Sequence, residues 1–446
     1  MSGIIDYEII SSEIIKPSYP TPSHLKVYKL SMFDRLADSW VVPFLLYFPC
    51  NSREKFAALS GRLKDSLSVA LTRFYPLAGR ISEDGGSINC DRDVEGVPFK
   101  VFQYRSRTLS DLYQEYGDNL SNRLYTLEEK KGDGDLNTFI LRIKLYGFAC
   151  GRVAISTAFL HKALDGSAMA YFLKSWAHIA GGCNDVVSPN YILSCLFPDD
   201  TQEEVTTEMC SLDKMVKYVF DRDAISSLQS KCGERVSRVM AVCAVILKCF
   251  MAASPNESML VSNIVNLRRR AQPPLSEDCF GNLFTSALAH AVKDDGTELG
   301  FLAKKLRGSV TGIDGEYVGR MMGENGADGY RRNVKTKEEY IADKGEEMLF
   351  FTSWCGFGLY DLDFGFGSLG WFSLARLDFG DDDEMIGGRL CTDGLGPYLN
   401  HVWLGDGQCG GVEALVTIGD DHFPAFDGRL KLEAAAVTRN PNPFHY

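Results

Sequence analysis

The sequence predicts an α/β fold, because segments with the alternation of a β-strand are repeatedly followed by segments with helical periodicity. Residues 152–160 alternate between larger and smaller side chains, which is the pattern of a half-buried strand. The next apolar side chains fall at helical spacing, at Met169, Phe172, Leu173, Trp176 and Ile179. In the second half, residues 260–267 again have the pattern of a strand, and a helix is predicted to begin near Ser237.

The length and composition favour a soluble enzyme-sized chain. Its 446 residues are enough for two domains, and the net charge of −12 argues against nucleic acid as the main partner. The 13 cysteines form no C-x-x-C pair and no cluster at ligand spacing, so we expect no metal site and a reducing compartment. Acidic residues occupy the start of the chain, where a signal peptide would need an apolar run. We therefore expect a cytoplasmic monomer that does not bind membranes.

The first half begins with a Pro-rich segment at 16–22 that we expect to be extended. A strand is predicted at Val41–Phe48. The helix that follows has an apolar face and stops at Tyr75-Pro76, because proline cannot continue a helix. Residues 84–87 read as a hairpin turn.

A polar, acidic stretch then divides the chain. We expect a first domain at 1–195, a crossover linker at 196–213 and a second domain at 214–446. The second domain opens with a strand at Met215–Phe220 and a helix from Asp223. Residues 293–347 are expected to form helices and loops with little visible chemistry, and residues 350–364 resume an apolar, strand-like pattern.

His161 is the main candidate for chemistry, because it lies between the strand at 152–160 and the helix that follows. A side chain at a strand end is fixed by the backbone and can face a cleft, as a general base requires. Asp165 follows four residues later and could face the imidazole, bond backbone N–H groups or pair with an arginine; we favour a structural role. A lone His-x-x-x-Asp arises by chance in many proteins, so the pattern needs support from elsewhere.

Two basic sites could hold an anion. Ser237 is a natural N-cap, and Arg238 in the first turn is disfavoured by the helix dipole unless an anion lies there; a solvated Arg238 is the alternative. The cluster Arg268, Arg269 and Arg270 ends a predicted strand and could pair with a buried carboxylate or a phosphate, or remain in a solvated loop.

Several common motifs are missing or misplaced. Residues 365–370 and 405–410 match G-x-G-x-x-G, but neither opens a helix after a strand, so we expect no dinucleotide site. The sequence has no G-x-S-x-G elbow and no Walker A motif, which leaves hydrolase and nucleotidase functions without support.

Taken together, the spaced motifs resemble those of the plant BAHD acyl-CoA-dependent acyltransferases, with an appearance closest to the vinorine synthase-like alkaloid acetyltransferases. Order and spacing hold over nearly the whole chain. The motifs are Pro20-Thr-Pro22, Phe74-Tyr-Pro-Leu-Ala-Gly-Arg80, Cys90 with Gly96-Val-Pro-Phe99, His161-x-x-x-Asp165-Gly166, Asn266-Leu-Arg268, Phe280-Gly-Asn-Leu283, Ser353-Trp-Cys355, Asp363-Phe-Gly-Phe-Gly367 and Gly411-Val-Glu413.

The resemblance implies two similar chloramphenicol-acetyltransferase-like domains, with mixed sheets flanked by helices and a channel between them. Acyl-CoA, most simply acetyl-CoA, would be the co-substrate, with no bound cofactor, and His161 would take the proton of an acceptor hydroxyl. The residues implied for catalysis are His161 and Asp165; for the CoA side, Ser237, Arg238, Asp363, Gly365 and Gly367; and for structural support, Gly166, Arg268 and Asn282.

The implied function is an EC 2.3.1-type O-acyltransferase that acts on a plant specialised metabolite such as an alkaloid. Three alternatives stay open: acylation of an amine, hydroxycinnamoyl transfer, and a non-acylating binding or cyclising relative. Two positions depart from the family pattern, since Phe366 replaces the usual Trp and Arg152 replaces a Gly. We expect Phe366→Trp to stabilise its loop or to be neutral.

Overall fold

The computed structural model describes residues 7–37, 39–50, 55–91, 96–127, 139–183, 187–198, 215–233, 235–323, 326–331, 347–375 and 400–439. Within them, two mixed sheets are flanked by helices, so the α/β prediction is confirmed. Residues 199–213, most of the linker expected at 196–213, lie outside this part of the chain. Among the described residues, no helix combines the length and apolar content needed to cross a bilayer.

The strands are β1 Glu8–Ile15, β2 Val27–Lys29, β3 Val41–Phe48, β4 Arg80–Ile81, β5 Ser87–Asn89, β6 Val97–Gln103, β7 Leu141–Gly147, β8 Val153–Leu160, β9 Met215–Phe220, β10 Ser258–Asn266, β11 Phe284–Val292, β12 Glu347–Ser353, β13 Trp371–Leu374, β14 Asn400–Asp406, β15 Val412–Thr417 and β16 Thr438–Arg439. The helices are α1 Met32–Arg35, α2 Phe56–Arg73, α3 Leu109–Tyr116, α4 Leu120–Thr126, α5 Gly166–Ala180, α6 Leu193–Leu196, α7 Arg222–Lys231, α8 Arg238–Ala253, α9 Leu299–Thr311, α10 Gly315–Gly319 and α11 Phe423–Glu433.

Each large sheet carries its own layer of helices. The first sheet has the order β1-β6-β7-β8-β3-β13, and α2 packs against α5 on one of its faces. The second has the order β11-β10-β12-β14-β15-β9-β16, and α8 packs between α9 and α11. Apolar side chains of α2 and α5 therefore form one core, and those of α8, α9 and α11 form another.

The two halves are joined through an apolar seam. Trp403 and Leu415 of the second sheet belong to the same core cluster as Phe44 of the first. Their neighbours Val402 and Leu404 point the other way, into the core beneath α8. Since successive side chains of a strand face opposite sides, the second sheet has a helix face and a face directed at the first half.

Strand β13 crosses from the second half into the first sheet. It follows the proposed linker in sequence, yet it pairs antiparallel with β3, with Trp371 opposite Tyr47 and Leu374 opposite Phe44. The aromatic rings of Tyr47 and Trp371 stack at 4.7 Å between centroids. This long-range pairing leaves no local pattern in the sequence from which it could be predicted.

The strand-like interpretation of residues 350–364 was partly wrong. Strand β12 ends at Ser353, and the backbone then turns through Gly356 and Gly358, whose φ angles of 86° and 63° are left-handed. The aromatic residues beyond the turn, Phe364 and Phe366, pack into the first core without forming a strand. These residues are apolar because they are buried between the two halves, and not because they form a strand.

Candidate active site

His161 lies directly after β8, as expected, and begins a single 3-10 turn at His161–Ala163. Its backbone is held from two directions. The N–H of His161 donates to the carbonyl oxygen of Trp40 at 2.9 Å, and its own carbonyl accepts from Asn282 Nδ2 at 2.9 Å. One partner comes from each half of the chain, so docking of the two halves sets the position of this histidine.

The imidazole of His161 is partly exposed and surrounded by aromatic rings. The Phe284 ring meets it edge to face at 5.6 Å between centroids, and the Trp40 ring lies at 6.2 Å. Nδ1 is buried and has no hydrogen-bond partner among the described residues. Because Nδ1 is buried, Nε2 is the ring nitrogen that we assign to a substrate.

Asp165 does not face the imidazole. Its Oδ1 caps α5 by accepting from Ala168 N at 2.9 Å, and its Oδ2 accepts from Leu283 N at 3.0 Å. Both oxygens also receive the Arg268 guanidinium, at 3.1 and 2.7 Å. We had grouped Asp165 with His161 for catalysis. Its contacts are those of a residue that holds the turn in place, so the geometry supports the structural role.

Arg268 is fully buried and completes this arrangement. Beyond Asp165, it donates to the carbonyl oxygens of Cys279 and Gly281 at 3.0 Å each. A buried ion pair is stable only when its remaining donors and acceptors are satisfied, and here both partners are. Of the three arginines in the cluster, Arg269 instead pairs with Glu277 on the surface.

A second buried carboxylate, Asp34, was missed by the sequence analysis. Its Oδ1 accepts from Asn282 N at 2.6 Å and from Asn282 Nδ2 at 2.9 Å, and its Oδ2 accepts from Ser31. Burial raises the pKa of Asp34 to about 6, although these donors oppose the shift. Two adjacent backbone N–H groups therefore donate to buried carboxylates: that of Asn282 to Asp34, and that of Leu283 to Asp165.

Gly166 has a steric reason for its place beside Asp165. A Cβ at this position would lie 2.6 Å from Nε1 of Trp354, closer than any side chain tolerates. Gly166 thus permits the first turn of α5 to contact the second half of the chain. Gly166, Arg268 and Asn282 make contacts between the two halves, and their support of the site stays a prediction.

Ser237 and Arg238 begin α8, as predicted. The Ser237 hydroxyl accepts from Met240 N at 3.1 Å, which is the bond of an N-cap. The Arg238 guanidinium pairs with Asp406 and donates to the carbonyl oxygens of Gly410 and Gly411, both at 3.2 Å. Arg238 therefore already holds the turn between β14 and β15, while about a third of its side chain stays exposed.

An open cavity of about 460 Å³ lies beside this turn. Its lining includes Arg238, Tyr360, Asp406, Gln408 and Gly410, and does not include His161. A ligand that reached both His161 and this cavity would have to be long.

Asp363 organises its own loop. Its Oδ1 accepts from the backbone N–H groups of Gly365, Phe366 and Gly367, at 2.7, 3.1 and 3.0 Å. The two glycines adopt φ angles of 87° and 112°, which other residues rarely adopt. Arg62 joins the loop to the first half by donating to Phe364 O at 2.6 Å. These contacts explain how the loop is built, and any effect of Asp363, Gly365 and Gly367 on CoA stays a prediction.

The Phe366→Trp substitution is now expected to destabilise the protein. Phe366 is only 2% exposed and packs edge to face on Phe48 at 5.1 Å. Overpacking a filled core typically costs about 1–3 kcal/mol, and no buried side-chain acceptor without a partner is found among the described residues of this loop. Urea denaturation of both proteins would measure the loss, with Phe301→Trp at a partly exposed site as the control. An unchanged or higher free energy of unfolding would instead support the expectation from the sequence.

The structure thus joins five of the ten predicted site residues into one centre and leaves the other five apart. His161, Asp165, Gly166, Arg268 and Asn282 form a connected set across the two halves. Ser237 and Arg238 lie at the cavity beside the β14–β15 turn, and the Asp363 loop packs on α2 and α5. Two residues not foreseen, Asp34 and Trp40, fix the backbone around His161.

Two mixed sheets flanked by helices, with a partly exposed histidine at their junction, define a two-domain α/β fold with a candidate general base between the domains. Residues 5–396 match the model of the Transferase family. The chain belongs to this family, the BAHD acyltransferases, and the resemblance noted in the sequence is confirmed.

Among curated relatives, a limonoid 7-O-acetyltransferase of Citrus sinensis is 32% identical and aligns over 98% of this chain and 99% of the relative. Stemmadenine O-acetyltransferase of Catharanthus roseus is 33% identical, over 93% of this chain and 95% of its own. Among solved structures, vinorine synthase is similar with a TM-score of 0.76 and 28% identity, covering 94% of this chain and 96% of that chain.

A more distant structure supports the fold alone. TRI101 of Fusarium graminearum, solved with coenzyme A and T-2 mycotoxin, has a TM-score of 0.68 at 15% identity, and the alignment covers 93% of this chain and 100% of that chain. The two-domain architecture is therefore shared beyond the range in which sequences remain similar.

Proposed function

We propose that this protein transfers an acetyl group from acetyl-CoA to a hydroxyl group of a plant specialised metabolite, with His161 as the general base. The observation that carries the proposal is the position of His161: its backbone is bonded to both halves of the chain, and the residue is partly exposed while its Nδ1 is buried. The similarity to two plant O-acetyltransferases over almost the full chain supports the reaction class.

In this mechanism, Nε2 of His161 accepts the proton of the acceptor hydroxyl as the oxygen attacks the thioester carbonyl. The C–O bond forms, and the carbonyl oxygen becomes an oxyanion. Collapse of the tetrahedral intermediate breaks the C–S bond, and the proton held by the imidazole leaves with the CoA thiol. No covalent bond to the protein is required.

The oxyanion needs a hydrogen-bond donor that is not already used. Nε1 of Trp40 is buried, lacks a partner among the described residues, and belongs to the ring that lies 6.2 Å from the His161 ring. We include Trp40 in the proposal as the candidate donor for this step.

Acetyl is the proposed acyl group because of residues 280–283. Relatives that use malonyl-CoA often read Phe-Gly-Asn-Cys at this motif, whereas this chain has Phe280-Gly-Asn-Leu283. The reaction with acetyl-CoA can be tested by the release of free CoA thiol in the presence of a panel of terpenoid and alkaloid alcohols. A product heavier than the acceptor by one acetyl group is expected. Amine acceptors and hydroxycinnamoyl-CoA form the other arms of the assay, and turnover confined to either would overturn the O-acetyl assignment.

We further propose that the phosphates of CoA lie at the start of α8, beside the cavity that Arg238 lines. The helix N-terminus and the exposed part of the guanidinium would both favour an anion there. Asp363, Gly365 and Gly367 would act on the CoA side only indirectly, through the shape of their loop.

Arg238→Ala is expected to raise the KM for acetyl-CoA by about tenfold, because a charge-assisted hydrogen bond contributes about 1.5–3 kcal/mol. The KM for the acceptor should change by less than about twofold, which is smaller than the effect of losing one hydrogen bond. Steady-state kinetics with each substrate varied in turn would measure both constants. Arg269→Ala, which removes an exposed arginine that does not line the cavity, is the control. Equal changes in both constants for Arg238→Ala would count against this placement.

A further inference from the structure

On the face directed at the first half, the second sheet has a partly exposed surface, which we call the wall. His401 shares this face with Trp403, because they are two residues apart on β14. The strand register then sets Phe350 of β12 opposite His401, and Ser262 of β10 opposite Phe350. Paired residues of neighbouring strands share a face, so these side chains form one row across the sheet.

Several residues on this face are partly exposed, both on the edge strand β11 and on the inner strands β10, β12 and β14. They are Phe284, Leu288, Ile264, Phe350, Thr352 and His401. Phe284 begins the wall and contacts the ring of His161. A molecule whose hydroxyl group reaches His161 would therefore lie against this wall.

One hydrogen-bonded polar pair lies on this mostly apolar wall. Thr352 Oγ1 and His401 Nε2 are 3.2 Å apart, and which of them donates depends on the histidine tautomer. The Ser262 hydroxyl lies nearby in the same row, fully buried and without a partner among the described residues. Burial also lowers the pKa of His401 to about 4, so the imidazole is neutral at neutral pH.

The pair is separated along the wall from Phe284, the residue that contacts the ring of His161. Thr352 is two strands across from Phe284 and about two residues further along the sheet. With strands about 4.8 Å apart and about 3.3 Å per residue, their Cα atoms are separated by roughly 12 Å. An acceptor that lies along the wall from Phe284 to Thr352 would have to be extended.

We propose that Thr352 and His401 form a subsite that binds a second, uncharged oxygen of a large apolar acceptor, at the end remote from the hydroxyl that is acylated. The proposal deepens the proposed function and rests on it. The wall residues named above carry no charge at neutral pH, which matches a hydroxyl, ether or carbonyl oxygen better than a carboxylate. The acceptor class is then a polycyclic alcohol oxygenated at both ends.

The test uses matched pairs of polycyclic alcohols that differ only in a remote hydroxyl or carbonyl group. The wild-type protein should prefer the oxygenated member. Thr352→Val, which keeps the side-chain shape, and His401→Leu should each reduce that preference in kcat/KM by about three- to tenfold, the value of one neutral hydrogen bond. Thr417→Val, the same change on the other side of His401 in the row, is the control and should keep the preference.

Equilibrium binding of the same pairs, measured by calorimetry, makes the test independent of turnover. Loss of preference in the two variants, with an unchanged KM for acetyl-CoA, supports the subsite. A preference that survives in both variants, or a raised KM for acetyl-CoA with no change in preference, would overturn it. If the wild-type protein binds these alcohols selectively but releases no CoA, the proposed function fails while the subsite stands.

Discussion

Replacing His161 by alanine is expected to lower kcat by about a hundredfold to ten-thousandfold, the usual contribution of a positioned general base. The backbone bonds of His161 to Trp40 and Asn282 involve main-chain atoms and do not need the imidazole. We therefore expect the fold to persist. Single-turnover assays, together with circular dichroism and a thermal melt, would measure both properties.

His178→Ala is the matched control for this experiment, because His178 is an exposed histidine on α5, away from the junction. It should retain full activity. Nearly unchanged kcat in a correctly folded His161→Ala variant would rule out His161 as the base. A loss that appears equally in the His178→Ala variant would mean that the assay reports stability and not chemistry.

Much of this site could be predicted because its signals are local. His161 and α5 lie next to each other in sequence, so the change from strand to helical periodicity marks the position of the base. Ser237 as an N-cap was equally visible. An arginine partner for Asp165 and a buried carboxylate for the cluster at 268–270 were each among the alternatives that the charges suggested, and the structure joins Asp165 to Arg268.

The remainder depends on contacts between residues far apart in sequence. Asp34 contacts Asn282, which is 248 positions away in the sequence. The sequence around Asp34 indicates only its role in the first turn of α1 and no distant partner. The Thr352 and His401 pair is likewise visible only through the register of β12 and β14. Periodicity identifies strands but does not order them within a sheet.

Asp165→Asn is expected to reduce the free energy of unfolding by about 3–5 kcal/mol, because it leaves the buried guanidinium of Arg268 without its counter-ion. Every partner of the carboxylate is a donor, so an amide NH₂ group would face another donor in either orientation. We expect activity to fall as well, because the segment that includes Asn282 would lose one of its anchors. Urea denaturation and kcat should be measured on the same preparations.

The neighbouring pair offers a direct comparison. Glu277→Gln breaks the pair with Arg269, which is 81% exposed, and exposed pairs contribute about 0–1 kcal/mol. This variant should remain close to wild type in stability and activity. If Asp165→Asn also unfolded at the wild-type urea concentration while losing activity, Asp165 would have to take part in proton transfer.

The passage of β13 into the first sheet has a consequence for how the chain is synthesised. Strand β3 lies between β8 and β13, and its Phe44, Leu45 and Leu46 are fully buried. When the first half leaves the ribosome, residues 371–374 have not yet been made, so one side of β3 is an unpaired, apolar sheet edge. Such edges recruit strands from other chains. The nascent first half is therefore at risk of aggregation until translation has passed residue 374, and a fragment that stops at the linker would keep that exposed edge permanently.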